Sequence, residues 1–206
     1  MNGKINSMTR RRFGAVVVAA TSAACAWPAR AETRIGTVED AVGDAFARQR
    51  ETRQLQVSDD ILLDDYVWTG SRSRARLGLD GGTRIHLGPH AQLVIDRFVA
   101  QAGGDLVLGT GALVFDRAES LPPVDMEIRS AFGLIGVRGT RFFAGPSRGV
   151  FGVFVERGTV EVQAAGIART LRAGDGVDIP APGAPPTNVV RWGQARIDEA
   201  LASVLG

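Results

Sequence analysis

The chain has 206 residues, a single cysteine and a formal net charge of +2. Residues 1–31 hold five of its 24 Lys and Arg residues and none of its 22 Asp and Glu residues, so the remainder has 19 basic and 22 acidic residues and a net charge of −3. This balance argues against a nucleic-acid binder, which keeps a basic surface. Because the one cysteine, Cys25, also lies in residues 1–31, disulfides and cysteine-bound metals are excluded from residues 32–206.

Residues 1–31 have the three parts of a secretory signal peptide. Arg10–Arg12 form a basic head, Gly14–Trp27 is an uncharged run rich in Ala and Val, and Ala29-Arg30-Ala31 places small residues where a signal peptidase cuts. The uncharged run is shorter than the ~20 residues that a membrane-spanning helix needs. We therefore expect cleavage after Ala31, a periplasmic mature protein and no stable membrane span after signal removal.

The basic head resembles the twin-arginine export pattern of bacteria. Arg10 and Arg11 are followed, after one residue, by Phe13, and the run behind them is rich in Ala, Ser and Thr rather than Leu. The alternative is an ordinary Sec signal with a strong basic head. A lipoprotein signal is disfavoured because Cys25 lies in the middle of the uncharged run. We predict the twin-arginine route.

The first half of the mature chain is predicted to form short strands. Asp59-Asp60 and Asp64-Asp65 bracket an apolar run, and because they lack the spacing of a calcium loop we interpret them as solvated turn residues. Arg72–Asp80 alternates apolar and polar residues, Asp80-Gly81-Gly82 predicts a hairpin turn, and Thr83–Leu87 alternates again. Similar short segments recur at spacings of about 8–12 residues, as in a sandwich or a squat solenoid.

The stretch Ile128–Val162 is predicted to supply the central strands. Gly136-Val137-Arg138-Gly139-Thr140 interrupts an apolar run with two glycines, which indicates a bulge or bend inside a strand. Gly158-Thr159 indicates a tight turn between two strands. Arg138 has two interpretations: it stabilises the bend by reaching a carboxylate inside the fold, or it presents its donor fork to a partner. The five residues from Gly136 to Thr140 are therefore the candidate interaction site.

The C-terminal part changes in character. Leu171–Ile179 predicts a last strand pair, and Pro180–Pro186 predicts a stiff linker that cannot join a sheet. From Val190 to Val204 apolar residues recur at helical spacing, which predicts a short amphipathic helix. The apolar face of this helix either packs back on the sheet or docks on a partner.

These elements together predict an all-β fold. We expect a compact β-sandwich or squat β-solenoid of short antiparallel strands, followed by a short C-terminal helix. Residues 1–31 are the signal peptide, residues 32–180 the β domain, and residues 181–206 the Pro-rich linker and the amphipathic helix.

No set of residues predicts a catalytic, cofactor or metal site. On an extended strand His86 and His90 would lie about 13 Å apart, too far to share one metal. The Gly88-Pro89 turn could bring them together, but the sequence suggests no third ligand nearby. The sequence has no Gly-x-Ser-x-Gly elbow, and its glycine-rich pieces lack the Lys and helix of a phosphate loop. Asp96, Asp116 and Glu156 are the candidate residues for a hydrolase. Each of them closes a strand beside an arginine, however, as solvated strand ends do.

Several motifs follow one another in the order of a known domain family. Asp65–Leu77 is similar to the family pattern D-x-V-x-T-G-x-x-S-R-A-x-L, and Asp80–Leu93 is similar to its Asp-Gly turn and L-G-P-N turn, with His90 in place of Asn. Three later motifs follow in the same order: Gly136–Phe142, Glu156–Val162 and Leu171–Asp175. The chain therefore resembles the FecR domain family over about residues 35–180.

The resemblance implies an all-β periplasmic or extracytoplasmic module. The best-known family members pass iron–siderophore signals from an outer-membrane receptor to a sigma factor. They carry a cytoplasmic anti-sigma segment, a membrane helix and a receptor-facing C-terminal subdomain. We expect this chain to have an export signal in place of the first two and one helix in place of the third, so that it does not control a sigma factor directly.

We therefore expect a non-enzymatic periplasmic binding or sensing module, without a cofactor, that contacts another envelope protein in signalling or envelope regulation. A glycan- or peptidoglycan-binding module is the second hypothesis, by analogy with other β-rich periplasmic domains. A hydrolase that uses Asp96, Asp116 or Glu156 is the third.

Overall fold

The computed structural model describes residues 32–206, which form sixteen strands and one helix. The predicted export signal, with Arg10, Arg11 and Phe13, lies outside the described residues. The first eleven strands are β1 Arg34–Val42, β2 Ala45–Arg48, β3 Thr52–Gln54, β4 Asp60–Leu62, β5 Tyr66–Thr69, β6 Arg74–Leu79, β7 Thr83–Leu87, β8 Gln92–Val99, β9 Gly103–Leu108, β10 Leu113–Arg117 and β11 Asp125–Ser130. The later elements are β12 Gly133–Ser147, β13 Val150–Ala164, β14 Ile167–Arg172, β15 Asp175–Ile179, β16 Val190–Arg191 and α1 Gln194–Leu205. Within this range, no helix has the length and apolar character to cross a membrane.

The strands belong to one sheet that branches at β12. The first half of β12 pairs with β11, from which the order β9-β8-β5-β2-β3 continues, and the second half pairs with β10, from which β7-β6-β1-β4 continues. Along its other edge β12 pairs with β13, whose two halves pair with β14 and β15. β9 and β11 pair in parallel, unlike the antiparallel pairs on either side of them.

The sheet has two arms, one running from β11 to β3 and the other from β10 to β4, and their inner faces enclose one core. A single buried cluster contains Leu77 and Ile85 from one arm and Leu93 and Leu106 from the other. The sheet therefore curls around its own apolar face and buries it without a second layer of helices. This architecture confirms the predicted all-β class with a short C-terminal helix. The hairpin predicted at residues 80–82 joins β6 and β7.

β12 keeps the same face towards the core over 15 residues, although its alternation changes phase in the middle. Ile135 and Val137 are buried before the middle, and Phe142 and Ala144 are buried after it. Side chains on a strand alternate with period two, so a change from odd to even buried positions requires one extra residue. Gly139, with a φ of +62°, lies where the register with β13 shifts. The bend predicted for this motif is confirmed by this bulge.

β13 changes phase at the same level. Val155 is buried before the change and Val160 after it, and Gly158 between them has a φ of +85°. A Cβ atom on Gly158 would lie 2.8 Å from the carbonyl oxygen of Gly139, so the two bulges are in close contact. The predicted tight turn at Gly158-Thr159 is wrong, because the positive φ of Gly158 serves a bulge inside one continuous strand.

α1 packs on the outer face of the sheet, over β7, β10 and β12. Trp192, which precedes the helix, lies against Gly152, where a Cβ atom would be 2.8 Å from the indole ring. Arg196 of α1 donates to both carboxylate oxygens of Asp178 at 2.6 and 3.1 Å and stacks on the indole. The helix therefore packs back on the sheet, as the first of the two interpretations predicts. The apolar cluster between helix and sheet consists of Ala112, Val114, Phe143, Phe154, Trp192, Ala200 and Val204.

One predicted turn residue is part of the interior. Asp65 is fully buried, and it accepts hydrogen bonds from the guanidinium of Arg53, at 3.0 Å from Nη1, and from the main-chain N–H of Leu62, at 2.8 Å. The prediction of a solvated role is wrong for Asp65, because these charge-assisted bonds replace water at both carboxylate oxygens.

Gly158→Ala should lower the free energy of unfolding by about 3 kcal/mol. A left-handed backbone costs an alanine about 1–2 kcal/mol, and the new methyl group crowds the main chain of Gly139, which costs about 1–3 kcal/mol more. Urea denaturation measures the difference.

Gly149→Ala is the matched control for this substitution. Gly149 has a φ of +84°, almost the same as that of Gly158, but nothing lies within 4 Å of its hypothetical Cβ atom. The control should therefore lose only the ~1–2 kcal/mol of the backbone term. Equal losses in the two variants would contradict the close contact between the bulges.

Arg53→Met should lower the free energy of unfolding by about 3 kcal/mol, because it leaves the buried Asp65 carboxylate without its counter-ion. Arg84→Met is the control, since the ion pair of Arg84 with Glu39 lies at the surface, where such pairs contribute at most about 1 kcal/mol. Both values come from urea denaturation. A loss for Arg53→Met no larger than that for Arg84→Met would show that the buried pair contributes little.

Candidate functional site

The candidate motif divides between the core and the surface. Val137 is buried against the core, and Thr140 is fully buried at the bulge. Gly139 supplies the positive φ of that bulge. Gly136 and Arg138 face the other side of β12, and Arg138 is exposed. The surface of the motif therefore consists of one arginine beside one glycine.

A groove of about 750 Å³ lies over this exposed side of the motif. It runs across six strands, from β8 through β9, β11, β12 and β13 to β14, on the outer face of the sheet. Strand register places one row of residues side by side across the groove: Arg97, Asp105, Glu127, Gly136, Glu161 and Thr170. The groove thus lies on the opposite side of the sheet from the core, and four of the six residues in this row are charged.

Gly136 lies in the middle of this row and leaves its floor open. A Cβ atom built on Gly136 would meet only Glu161, at 3.9 Å from its carbonyl oxygen. The backbone of Gly136 does not require glycine, because its φ lies outside the left-handed region. The missing side chain therefore opens a space, whereas Gly139 three residues later serves the backbone.

Several charges in the groove are held by ion pairs. Arg97 Nη2 lies 2.9 Å from Asp105, and Arg129 Nη2 lies 2.6 Å from Glu127 and 3.9 Å from Asp105. The hydrogen bond and the charge of Glu127 raise the pKa of Arg129 above its usual value. These four residues form a network along β8, β9 and β11, so their charges are largely satisfied within the fold.

Three other charged residues of the groove are unpaired. Among residues 32–206, Arg138, Asp125 and Glu161 have no side-chain hydrogen bond and no ion pair with any other residue. The carboxylate that Arg138 was expected to reach inside the fold is absent, because the alternation of β12 directs its side chain away from the core. Arg138 is exposed and lines the groove, so its position fits the second interpretation, in which it presents its donors to a partner.

Two of the three carboxylates considered for hydrolysis are held by arginines. Asp116 lies between Arg141 and Arg157, at 3.3 and 3.0 Å, and Glu156 lies 2.8 Å from Arg141 Nε. This cluster holds together β10, β12 and β13 at the bulges. Asp96 is exposed on β8 and forms no ion pair with an arginine within residues 32–206.

The two histidines differ in environment. His86 is half-buried on β7, and burial lowers its pKa, with smaller contributions from the positive charges of Arg76 and Arg141. His90 is exposed in the turn after β7, with a φ of +55°. In the described part of the chain, no three His, Cys, Asp or Glu side chains are grouped as a metal site.

The sequence shows part of this site and misses the rest. The alternation of Val160-Glu161-Val162 indicates that Glu161 faces away from the core, as it does. Asp125 lies 13 residues before Arg138 along the chain and Thr170 lies nine residues after Glu161, and strand register brings each pair together. No pattern within a single strand shows this arrangement.

Comparison with known proteins supports the fold and the family. No curated protein matches the chain. Among solved structures, two crystal structures of a candidate anti-sigma factor from Parabacteroides distasonis share its fold, each with a TM-score of 0.53 and 15% sequence identity over 64% of this chain. The chain covers 62% of the length of that protein. Residues 65–161 match the family model described as FecR protein. The matched range includes the Gly136–Thr140 motif, both bulges and most of the residues that line the groove. The resemblance seen in the sequence is confirmed over residues 65–161, which match the FecR family model.

Proposed function

We propose that this chain is an exported, non-enzymatic binding module of the FecR type that contacts another envelope protein in signalling or envelope regulation. The FecR domain supports a regulatory role. The fold that the chain shares with a candidate anti-sigma factor is consistent with such a role. The proposed location is the periplasm, reached through the signal peptide of residues 1–31.

The unpaired charges around Gly136 are the observation that carries this proposal. Arg141 and Arg157 share the carboxylate of Asp116, whereas Arg138, Asp125 and Glu161 are exposed beside a groove and have no ion pair within residues 32–206. An arginine fork binds a carboxylate with two parallel hydrogen bonds, so Arg138 is suited to an acidic group of a partner. Exposed charges of this kind add little to the stability of the fold itself.

The two other hypotheses have less support. None of the described residues that line the groove is aromatic, so the groove offers no flat apolar platform for a sugar ring. Sedimentation with purified cell-wall sacculi tests the glycan hypothesis directly. The hydrolase hypothesis has little support because Arg141 and Arg157 form ion pairs with Asp116, and Arg141 also with Glu156, and so occupy carboxylate oxygens that would face a substrate.

A photo-cross-linking amino acid at Gln163, which lines the groove, should give a specific cross-linked product in the host bacterium. The same group at Val57, which is 57% exposed and outside the groove, should give none. Arg138→Glu should lower the yield at Gln163 by about tenfold or more, because the reversed charge repels an acidic group that the arginine attracts.

Arg72→Glu is the matched control for Arg138→Glu. Arg72 is also exposed, and no ion pair with it is present in residues 32–206, but it lies outside the groove. The yield with Arg72→Glu should equal that of the unchanged chain. Equal losses for the two reversals, or a product at Val57 identical to that at Gln163, would contradict the groove as the binding surface.

The double substitution of Arg10→Lys with Arg11→Lys should leave the uncleaved chain in the cytoplasm, because twin-arginine transport requires both arginines. Arg12→Lys, at the intervening position, should have no effect on export. Fractionation and N-terminal sequencing measure both, and the exported chain should begin at Glu32. Normal export of the double variant would show that the signal uses the Sec route.

A further inference from the structure

One edge of the sheet next to the groove is open. β14 pairs with β13 along one side, and no strand within residues 32–206 pairs with its other side. β15 pairs with the other half of β13, on the same side as β14. Its outer edge is covered by β16 and by Thr187, whose N–H donates to the main-chain carbonyl of Asp178. The chain thus adds a strand of its own to one part of this edge. Along β14 the described residues add no strand, and Arg169 Nε donates to the carbonyl of Thr187 at 3.2 Å.

The register of the β13–β14 hairpin shows which main-chain groups are open. The hairpin has a two-residue loop, Ala165-Gly166, with φ values of +49° and +75°, and Ala164 lies opposite Ile167. In such hairpins the residues that flank the loop bond to each other, and hydrogen-bonded pairs then alternate with non-bonded pairs along the strands. The N–H and C=O groups of Ala168, Thr170 and Arg172 therefore point away from β13.

Two contacts agree with this assignment and reduce the number of outward main-chain groups of β14 that have no hydrogen bond. The N–H of Arg172 donates to Asp175 Oδ2 at 2.9 Å, and the carbonyl of Ala168 accepts a bond from the Arg169 guanidinium at 3.3 Å. No hydrogen bond within residues 32–206 uses the N–H of Ala168 or the N–H and C=O of Thr170. These three groups lie at the middle of an exposed edge.

The side chains beside these groups belong to the groove. Thr170 lies next to Glu161 in the row across the sheet. Arg172 lies in the adjacent row, with Thr159 between it and Arg138. A further strand would lie about 4.8 Å beyond β14 and would extend both rows by one residue.

We propose that an extended segment of a protein partner adds to this edge as a strand antiparallel to β14. Its residue opposite Arg172 is acidic, and the residue two positions later, opposite Thr170, is basic and directed towards the carboxylate of Glu161. Main-chain hydrogen bonds supply affinity in this mode, and the alternate side chains supply specificity. This proposal rests on the proposed protein-binding function and names its mode of recognition.

Charge favours such a partner over a second copy of this chain. β14 has the sequence Ile-Ala-Arg-Thr-Leu-Arg, with two arginines and no carboxylate. Two copies paired along this edge would bring together four arginines without a counter-ion, and like charges across paired strands are destabilising. Arginines on an edge strand also oppose indiscriminate strand pairing.

Thr170→Pro tests the proposal, with the photo-cross-linker at Gln163 as the readout. Proline removes the outward N–H of Thr170 and leaves the bonds to β13 in place, so it blocks an incoming strand. Thr170→Val, which keeps that N–H, is the matched control. We expect the cross-linked yield of Thr170→Pro to be about tenfold or more below that of Thr170→Val.

Arg172→Glu is a second variant that does not depend on proline being tolerated. It reverses the side-chain charge and keeps the main-chain bond to Asp175, so the fold should melt at the same temperature while the yield falls by about tenfold. If Thr170→Pro melts at a lower temperature than Thr170→Val, Arg172→Glu alone decides the outcome.

The outcomes separate this proposal from the function on which it rests. A product at Gln163 that depends on Arg138 but is unchanged by Thr170→Pro and by Arg172→Glu overturns strand addition and leaves the binding function intact. No specific product at Gln163 overturns both. A product with twice the mass of the mature chain, identified as this protein, overturns the heterologous partner in favour of pairing between copies.

Discussion

The period-two alternation of a β-strand is the constraint on which this fold depends. β12 and β13 each run for 15 residues and take part in both halves of the sheet, so each must present apolar side chains to the core throughout. The register between them shifts at the middle, and Gly139 and Gly158 adopt the positive φ angles that the bulges need. Without this change of phase, the second half of each strand would turn its polar side to the core.

The same bulges divide the outer face into two unlike parts. Beyond them, on the side of β10 and β15, Phe143 and Phe154 face outward and are covered by α1 and Trp192. Before them, on the side of β11 and β14, the outward positions carry charged side chains around Gly136. The helix therefore covers the part of the outer face that needs burial, and the candidate site is the part that does not.

The sequence predicts the features that depend on adjacent residues, but it does not predict those that depend on pairing between distant strands. The Asp80-Gly81-Gly82 hairpin follows from turn chemistry, since it needs only adjacent residues. Gly158 is misleading, because a glycine at positive φ serves a turn or a bulge equally well and the choice depends on the facing strand. Asp65 is misleading for a similar reason: its counter-ion, Arg53, reaches it only through the fold. The branch at β12 and the parallel pairing of β9 with β11 have no signature in any single stretch.

The contrast between paired and unpaired arginines within one molecule gives the candidate site its weight. At the bulges Arg141 and Arg157 share Asp116, although they lie directly opposite each other, so a carboxylate is present where the fold needs one. Arg138 lies only three residues before Arg141 on the same strand, yet none of the described residues pairs with it. An exposed arginine adds little to stability by itself. Arg138, however, lies in a groove that extends to the open edge of β14, so this surface presents both a charged side chain and unpaired main-chain groups. Arg141 and Arg157 therefore hold strands of the sheet together through Asp116, whereas Arg138, on the same strand as Arg141, is left for the proposed binding of a partner.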